Sequence, residues 1–373
     1  MDWVQYRQNG DITSISEGFT YVYFGTENGG ILRYQNYGKR FEEPITRAQG
    51  LASNTITAIH FDRDTGILWA ATNQSLEYSF NHEGDWHRVS LVDIGLNRNT
   101  RIEQIGSSKE SLWVRSGSLF IKLDRSSGIM LGMFSSPDID DIDWSSGRLS
   151  AMDIPTNILE SYSVLDGWLY VQDGFLSPKG KRAFIRTAHT GKFKDIWIGC
   201  SDGMIFLGGT QMKALTPIQS GLANSDVMSL FGKNGLWIGG RWSKESKGIT
   251  QFFPKRHVFH PVEFDLTLNM DNLPVYEILE IDNEVWFGSM DGVMIYNKKK
   301  DYWRFYGSER GFPMGRVRAM VAIDEIVWVA TSRGISGISK ETKRLKNTEL
   351  GDKLKGVFIY DLIEVEGDLW IAT

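Results

Sequence analysis

The chain has little cysteine, little proline and no long apolar run. Cys200 is the single cysteine among 373 residues, which excludes an internal disulfide and any zinc site built from several thiolates. It leaves the compartment open, because cysteine-poor chains persist in the cytosol and the periplasm alike. No apolar stretch approaches the roughly 18 residues that mark a membrane-spanning helix, so no membrane insertion is expected within this chain. The opening Met1-Asp2-Trp3-Val4-Gln5-Tyr6 has neither the basic nor the apolar region of an export signal. The chain therefore reads as cytoplasmic, or as exported with its signal removed ahead of this numbering. A net charge of −5 with no long basic run gives no reason to expect a nucleic-acid partner.

What the chain does have is glycine and aromatics: 39 Gly, 13 Trp, 13 Tyr and 20 Phe against 9 Pro. That balance favours strands and tight turns over long helices. The aromatics also recur. Ile67-Leu68-Trp69-Ala70-Ala71-Thr72 returns in altered form around Trp113, Trp197, Trp237, Trp286, Trp328 and Trp370. Tyr21-Val22-Tyr23-Phe24-Gly25-Thr26 fills the same slot with Tyr. The Trp spacings are 44, 84, 40, 49, 42 and 42. Since 84 is twice 42, a degenerate copy is expected at Arg148-Leu149-Ser150-Ala151-Met152, giving nine units of about 43 residues.

Within a unit the apolar positions alternate with period two, as in Val275-Tyr276-Glu277-Ile278-Leu279-Glu280-Ile281. A turn leads to the Trp strand, and a second turn ends in Gly, as in Ser201-Asp202-Gly203 and Ser332-Arg333-Gly334. A third strand and an aromatic fourth follow, Val293–Tyr296 and Tyr302–Tyr306 in one unit. A glycine enters the next unit six residues ahead of its first strand, from Gly50 to Ile56, Gly221 to Val227, Gly311 to Val317 and Gly351 to Val357. Four short antiparallel strands per unit predict an all-β fold, a β-propeller of four-stranded blades over residues 1–373. The alternative division is a seven-bladed propeller over 1–307 and the start of a second over 308–373. The last unit stops at Thr373 without its third strand, so the natural protein is expected to continue. Trp3-Val4-Gln5-Tyr6 resembles a fourth strand that could close the ring onto that unit. The recurrent Trp residues are expected to be packing groups between blades, and Trp3, Trp86, Trp168 and Trp303 to sit on fourth strands.

The assembled pattern, V-x-x-I-x-x-D-x-x-G-x-L-W-I-G-T-x-x-G-L-x-x-Y with Val275–Tyr296 as its nearest copy, resembles the two-component-regulator propeller repeat family. The resemblance covers nearly the whole chain. It implies the extracytoplasmic β-propeller sensor region of a bacterial hybrid histidine kinase or a related surface protein, and hence a periplasmic or extracellular location, with a cytoplasmic one as the alternative. The chain departs from that architecture in showing no kinase or DNA-binding segment, so signalling would need further sequence or a partner.

Catalytic signatures are missing: no nucleophile elbow, phosphate loop or paired-carboxylate motif stands out, so no catalytic residue is assigned. His257 and His260 are three apart, and on a strand they would face opposite ways, so no metal is expected there. The run Asp138, Asp140, Asp141 and Asp143 lacks the glycine and terminal Glu of a calcium loop and alternates with Ile139 and Ile142 like a strand. No cofactor is expected. One loop swells to Gly240–Gly248, and Arg241, Trp242, Lys244 and Lys247 within it form a candidate ligand site, suited to stacking on a sugar or gripping a carboxylate. The plain alternative is an ordinary insertion with a half-buried Trp. The long segment Asp265–Pro274 is expected to open on the same face. The chain thus reads as a non-catalytic module that binds a small-molecule or glycan ligand, or a protein partner. A polysaccharide lyase or hydrolase and a purely structural scaffold are the alternatives.

Overall fold

A computed structural model describes residues 3–81, 84–138, 141–192, 194–209, 212–233, 235–241, 249–263, 274–290, 292–312 and 315–373. The Trp repeats are realised as consecutive antiparallel sheets, in which strands that follow one another in sequence lie side by side. The first sheet runs Ile12–Glu17, Tyr21–Thr26, Ile31–Gln35, Arg40–Phe41, and the second Ile56–Asp62, Ile67–Thr72, Ser75–Ser79, His87–Ser90. The third begins with Gln104–Ser107 and Ser111–Ser116, and the fourth is built on Arg182–Thr190 and Ile196–Cys200. The fifth, sixth and seventh begin with Asp226–Gly232, Glu277–Ile281 and Val317–Ile323. The eighth has two strands among the described residues, Asp361–Val365 and Asp368–Ala372.

The chain divides into two compact units. One comprises Met1–Leu222 with Lys255–Phe259, and the other Ala223–Pro254 with His260–Thr373. In the first unit the inner strands of the fourth, first, second and third sheets lie side by side in that order. In the second unit the inner strands of the fifth to eighth sheets do the same. Five of the eight inner strands carry a shared irregularity. Register shifts fall between Ile12 and Ser14, Ile56 and Ala58, Ile185 and Thr187, Val227 and Ser229, and Val317 and Ala319. Such a bulge increases local twist. Small hydroxyls then tie adjacent inner strands together. Thr13 Oγ1 donates to the Ile56 carbonyl at 2.7 Å, and the Phe61 N–H donates to Ser16 Oγ at 2.8 Å.

Packing follows the alternation. Trp69, Trp113, Trp237 and Trp286 are fully buried, and Trp197 nearly so. The indole N–H groups of Trp69, Trp113 and Trp237 find no partner among the described residues, so these rings act through area and shape. Burying one contributes on the order of 2–3 kcal/mol.

Three expectations need correction. Residues 148–152 form no strand, and among the described residues the doubled 84-residue interval adds no further separate sheet. The segment 143–149 instead crosses the inner strands of the first unit. Asp143 and Trp144 pair with Ser107 and Gly106, Ser146 N–H donates to the Ile15 carbonyl at 3.1 Å, and Leu149 N–H donates to the Arg186 carbonyl at 2.8 Å. Arg148 binds Asp11 at 2.9 Å. The remaining residues extend the fourth sheet through Leu169–Val171 and Gly174–Leu176 beyond its inner edge and Ser163–Val164 beyond its outer one. Backbone groups that would have formed an independent sheet are satisfied by existing ones. Second, residues 3–6 are not a strand, and Trp3 is 79% exposed. That segment is held by side chains, with Gln49 Nε2 donating to the Trp3 carbonyl at 2.8 Å. Third, Gly351 lies within the helix Glu349–Lys353 rather than in an entry turn, and the eighth inner strand starts at Asp361.

Candidate functional site

The register of the inner strands exposes a difference between the two units. In the first unit the residues paired with the recurrent aromatic are Ser16 opposite Tyr23, His60 opposite Trp69, Gly106 opposite Trp113 and His189 opposite Trp197. In the second unit they are Phe231, Leu279, Val321 and Ile363. One structural position is thus polar or small throughout one unit and apolar throughout the other. Apolar packing alone gives no reason to place two histidines there.

Those residues converge near the C-terminal ends of the inner strands. A pocket of about 120 Å³ is lined there by Glu17, His60, Arg63, Asp143, Trp144 and His189, and by the turn Thr190–Lys192. Glu17 ends the first inner strand and its carboxylate is nearly buried. Glu17 Oε2 accepts from Lys192 N–H at 2.8 Å, pairs with Arg63 Nη2 at 3.3 Å and lies 4.0 Å from His189 Nε2. Two donors already hold that oxygen, which fixes the carboxylate against the turn.

His60 is 2% exposed. Its Nε2 shares a 2.9 Å hydrogen bond with Ser107 Oγ, while its Nδ1 has no partner among the described residues. Burial drives its pKa down to about 4; Asp143 and Asp62 pull it back up, and Arg125 and Arg63 add to the fall. His189 is lowered as well, again first by burial, with Glu17 and Asp143 opposing and Arg63 assisting. Both rings are therefore neutral near pH 7, each with one nitrogen able to accept a hydrogen bond. Asp143 is exposed and Trp144 half-buried, so the pocket combines an aromatic edge, an exposed carboxylate and the His189 imidazole. That mixture suits hydrogen bonding to a polar ligand. Among the described residues no group of three or more His, Cys, Asp or Glu is placed to hold a metal ion.

Asp62, between the pocket residues Phe61 and Arg63 in the chain, anchors a charged cluster. Arg125 Nε donates to Asp62 Oδ2 at 2.9 Å, its Nη2 binds Asp62 Oδ1, and the same Nη2 reaches Asp64 Oδ2 at 3.1 Å. Asp62 is fully buried, and although burial raises its pKa, the hydrogen bonds from Arg125 and Thr65 leave it lowered.

Of the residues singled out from sequence, Asp143 alone of those described lines this pocket. Trp242, Lys244 and Lys247 lie outside the described residues, as does most of Asp265–Pro274. Arg241 is exposed at the end of Leu236–Arg241. His257 bonds the Tyr6 hydroxyl at 3.2 Å, and His260 is exposed. Of the aspartate run, Asp138 pairs with Lys122 at 3.0 Å, Asp140 lies outside the described residues, and Asp143 enters the pocket. The strand expected there is confined to Asp143–Trp144. His60, His189 and Glu17 carry no local motif. The available signal was the identity of the residue six to nine places before each recurrent aromatic, compared across repeats. The pocket also opens beside the turns that join first to second strands, such as Arg63–Gly66 and Gly191–Asp195.

No family model matches the chain, and no curated protein does. Among solved structures it is similar to the extracellular domain of the putative hybrid two component system BT4673 from B. thetaiotaomicron. The identity is 13%, over 97% of this chain and 69% of that one, with a TM-score of 0.31. The corresponding domain of BT3049 from the same organism gives 17% identity, 95% and 60% coverage, and a TM-score of 0.31. The computationally designed Ika8 protein gives 13%, 99% and 94%, with a TM-score of 0.29. At these values the fold rests on this chain's own strand pairing: an all-β protein of consecutive, mostly antiparallel sheets, five of them four-stranded among the described residues.

Proposed function

We propose that the chain is a propeller-type recognition module that works by binding rather than by chemistry, and that the Glu17–His60–Asp143–His189 pocket takes a small hydroxylated ligand such as a sugar. The supporting observation is the replacement of apolar residues by Ser16, His60 and His189 at one repeat position, around an open pocket that also carries the exposed Asp143 carboxylate. Neutral imidazoles and a carboxylate accept hydrogen bonds from hydroxyls, and the Trp144 edge offers a surface for a ring. The repeat resemblance supports an extracytoplasmic setting, in sensing or surface assembly, with the repeats forming one array over residues 1–373. The loop carrying Arg241, Trp242, Lys244 and Lys247 is a second proposed contact surface. Loss of glycan-array binding in Trp242→Ala would assign it that role.

The enzyme alternative would draw on the His189–Glu17 pair. At 4.0 Å, with Glu17 Oε2 already taking two donors, that pair is better suited to holding a ligand than to moving a proton. Isothermal titration of wild type and Asp143→Asn with a panel of neutral mono- and disaccharides tests the proposal. At least one sugar should bind, and the variant should weaken it by about tenfold, the effect of about 1.4 kcal/mol. Failure of the whole panel, or binding unaffected by Asp143→Asn, refutes it, and turnover of a chromogenic glycoside by wild type would transfer the site to the enzyme class.

A further inference from the structure

A separate groove lies in the second unit, between the fourth strand of the sixth sheet, Tyr302–Gly307, and the outer strands of the seventh, Gly334–Ser339 and Leu345–Lys346. Its volume is about 370 Å³, within the range of roughly 300–1,000 Å³ typical of small-molecule sites. The floor is apolar: Tyr306, Phe312 and Ile338 are all buried, and Leu345 is half-buried. Three cations rim it, Arg310, Lys343 and Arg344.

These cations differ in how far they are neutralised. Lys343 binds Glu284 at 2.5 Å and so has its counter-ion. Arg310 lies over the Tyr306 ring, 4.8 Å from its centroid. Its carboxylate neighbour Glu309 is 3.9 Å away, with both side chains more than half exposed, a contact worth little in water. Arg344 is exposed and makes no ion pair among the described residues. Two guanidinium groups thus stand over an apolar floor with acceptor demand left over. A guanidinium fork matches a planar carboxylate with two parallel hydrogen bonds. The floor rewards a ligand that carries apolar area behind its charge and penalises a fully hydrated anion.

We infer that this groove binds a monocarboxylate with an aromatic or branched aliphatic body, the carboxylate held by Arg310 and Arg344 and the body laid against the half-buried Leu345, above the buried Phe312 and Ile338. The site is independent of the first-unit pocket and shares none of its residues.

Phenylacetate is the probe, titrated into the full chain by NMR or calorimetry. Acetate, benzyl alcohol and inorganic phosphate serve as comparators, and Arg310→Gln/Arg344→Gln as the variant. Both arginines are exposed, so the variant should fold, which an unchanged thermal midpoint confirms. Phenylacetate is expected to bind saturably and at least about tenfold more tightly than each comparator, with a loss of about tenfold or more in the variant. The inference is overturned if phenylacetate shows no saturable binding or if the variant binds it as wild type does. Phosphate or acetate binding as tightly as phenylacetate also overturns it, since that outcome describes a general anion site without an apolar subsite.

Discussion

Acidification should destabilise the first unit through His60, and the size of the effect follows from its burial. A histidine whose pKa falls on folding holds its proton more tightly in the unfolded chain. The stability it permits is therefore complete above the unfolded value of 6.5 and is lost as the pH falls through that value towards about 4. The full drop corresponds to about 3 kcal/mol, of which about 2 kcal/mol is already lost at pH 5. His60→Phe removes this titration while keeping a ring of similar shape opposite Trp69. The variant leaves Ser107 Oγ without its 2.9 Å partner, a cost of about 1 kcal/mol that does not depend on pH. Urea unfolding of both proteins at pH 8 and pH 5 separates the two effects. Wild type should lose about 2 kcal/mol more than the variant between those pH values. His189 shifts in the same direction and remains in both proteins, so it cancels in the comparison. Equal losses in wild type and variant would refute the reasoning, as would His60 ring signals that titrate near 6.5.

Three further outcomes follow from the packing. Arg125→Met leaves the buried Asp62 carboxylate without its forked partner and should cost about 3–5 kcal/mol at neutral pH, read as a fall in the urea midpoint. Glu277 is raised to about 7, first by burial and then by Asp361. Its favourable contribution is present below 4.5 and is lost as the pH rises through 7, so Glu277→Gln should raise the thermal midpoint at pH 8 and change it little at pH 4.5. A midpoint shift independent of pH would contradict this. The Trp69 indole N–H has no partner among the described residues, so Trp69→Phe should cost well under half of Trp69→Ala, itself about 3–5 kcal/mol; equal costs would show that the N–H matters.

The amino-acid sequence by itself determined the sheets. Alternation with period two, a large aromatic in each second strand and glycine at the turns are local instructions. Every sheet but the fourth obeys them within about forty residues of chain, which is why Trp69, Trp113 and Trp286 could be recognised as packing groups from spacing alone. The interval between Trp113 and Trp197 broke that reading. Its length fitted one more unit, but segment 143–149 carries polar groups that find partners on inner strands already formed, and no local pattern reports such distant partners. The same holds for the pocket. Glu17, His60, Asp143 and His189 are ordinary surface or edge residues when read one repeat at a time. Tertiary structure alone brings the ends of their strands together, buries His60 and keeps it neutral. Sequence repetition specified what each sheet is made of; the packing of inner strands decided which of their polar residues meet.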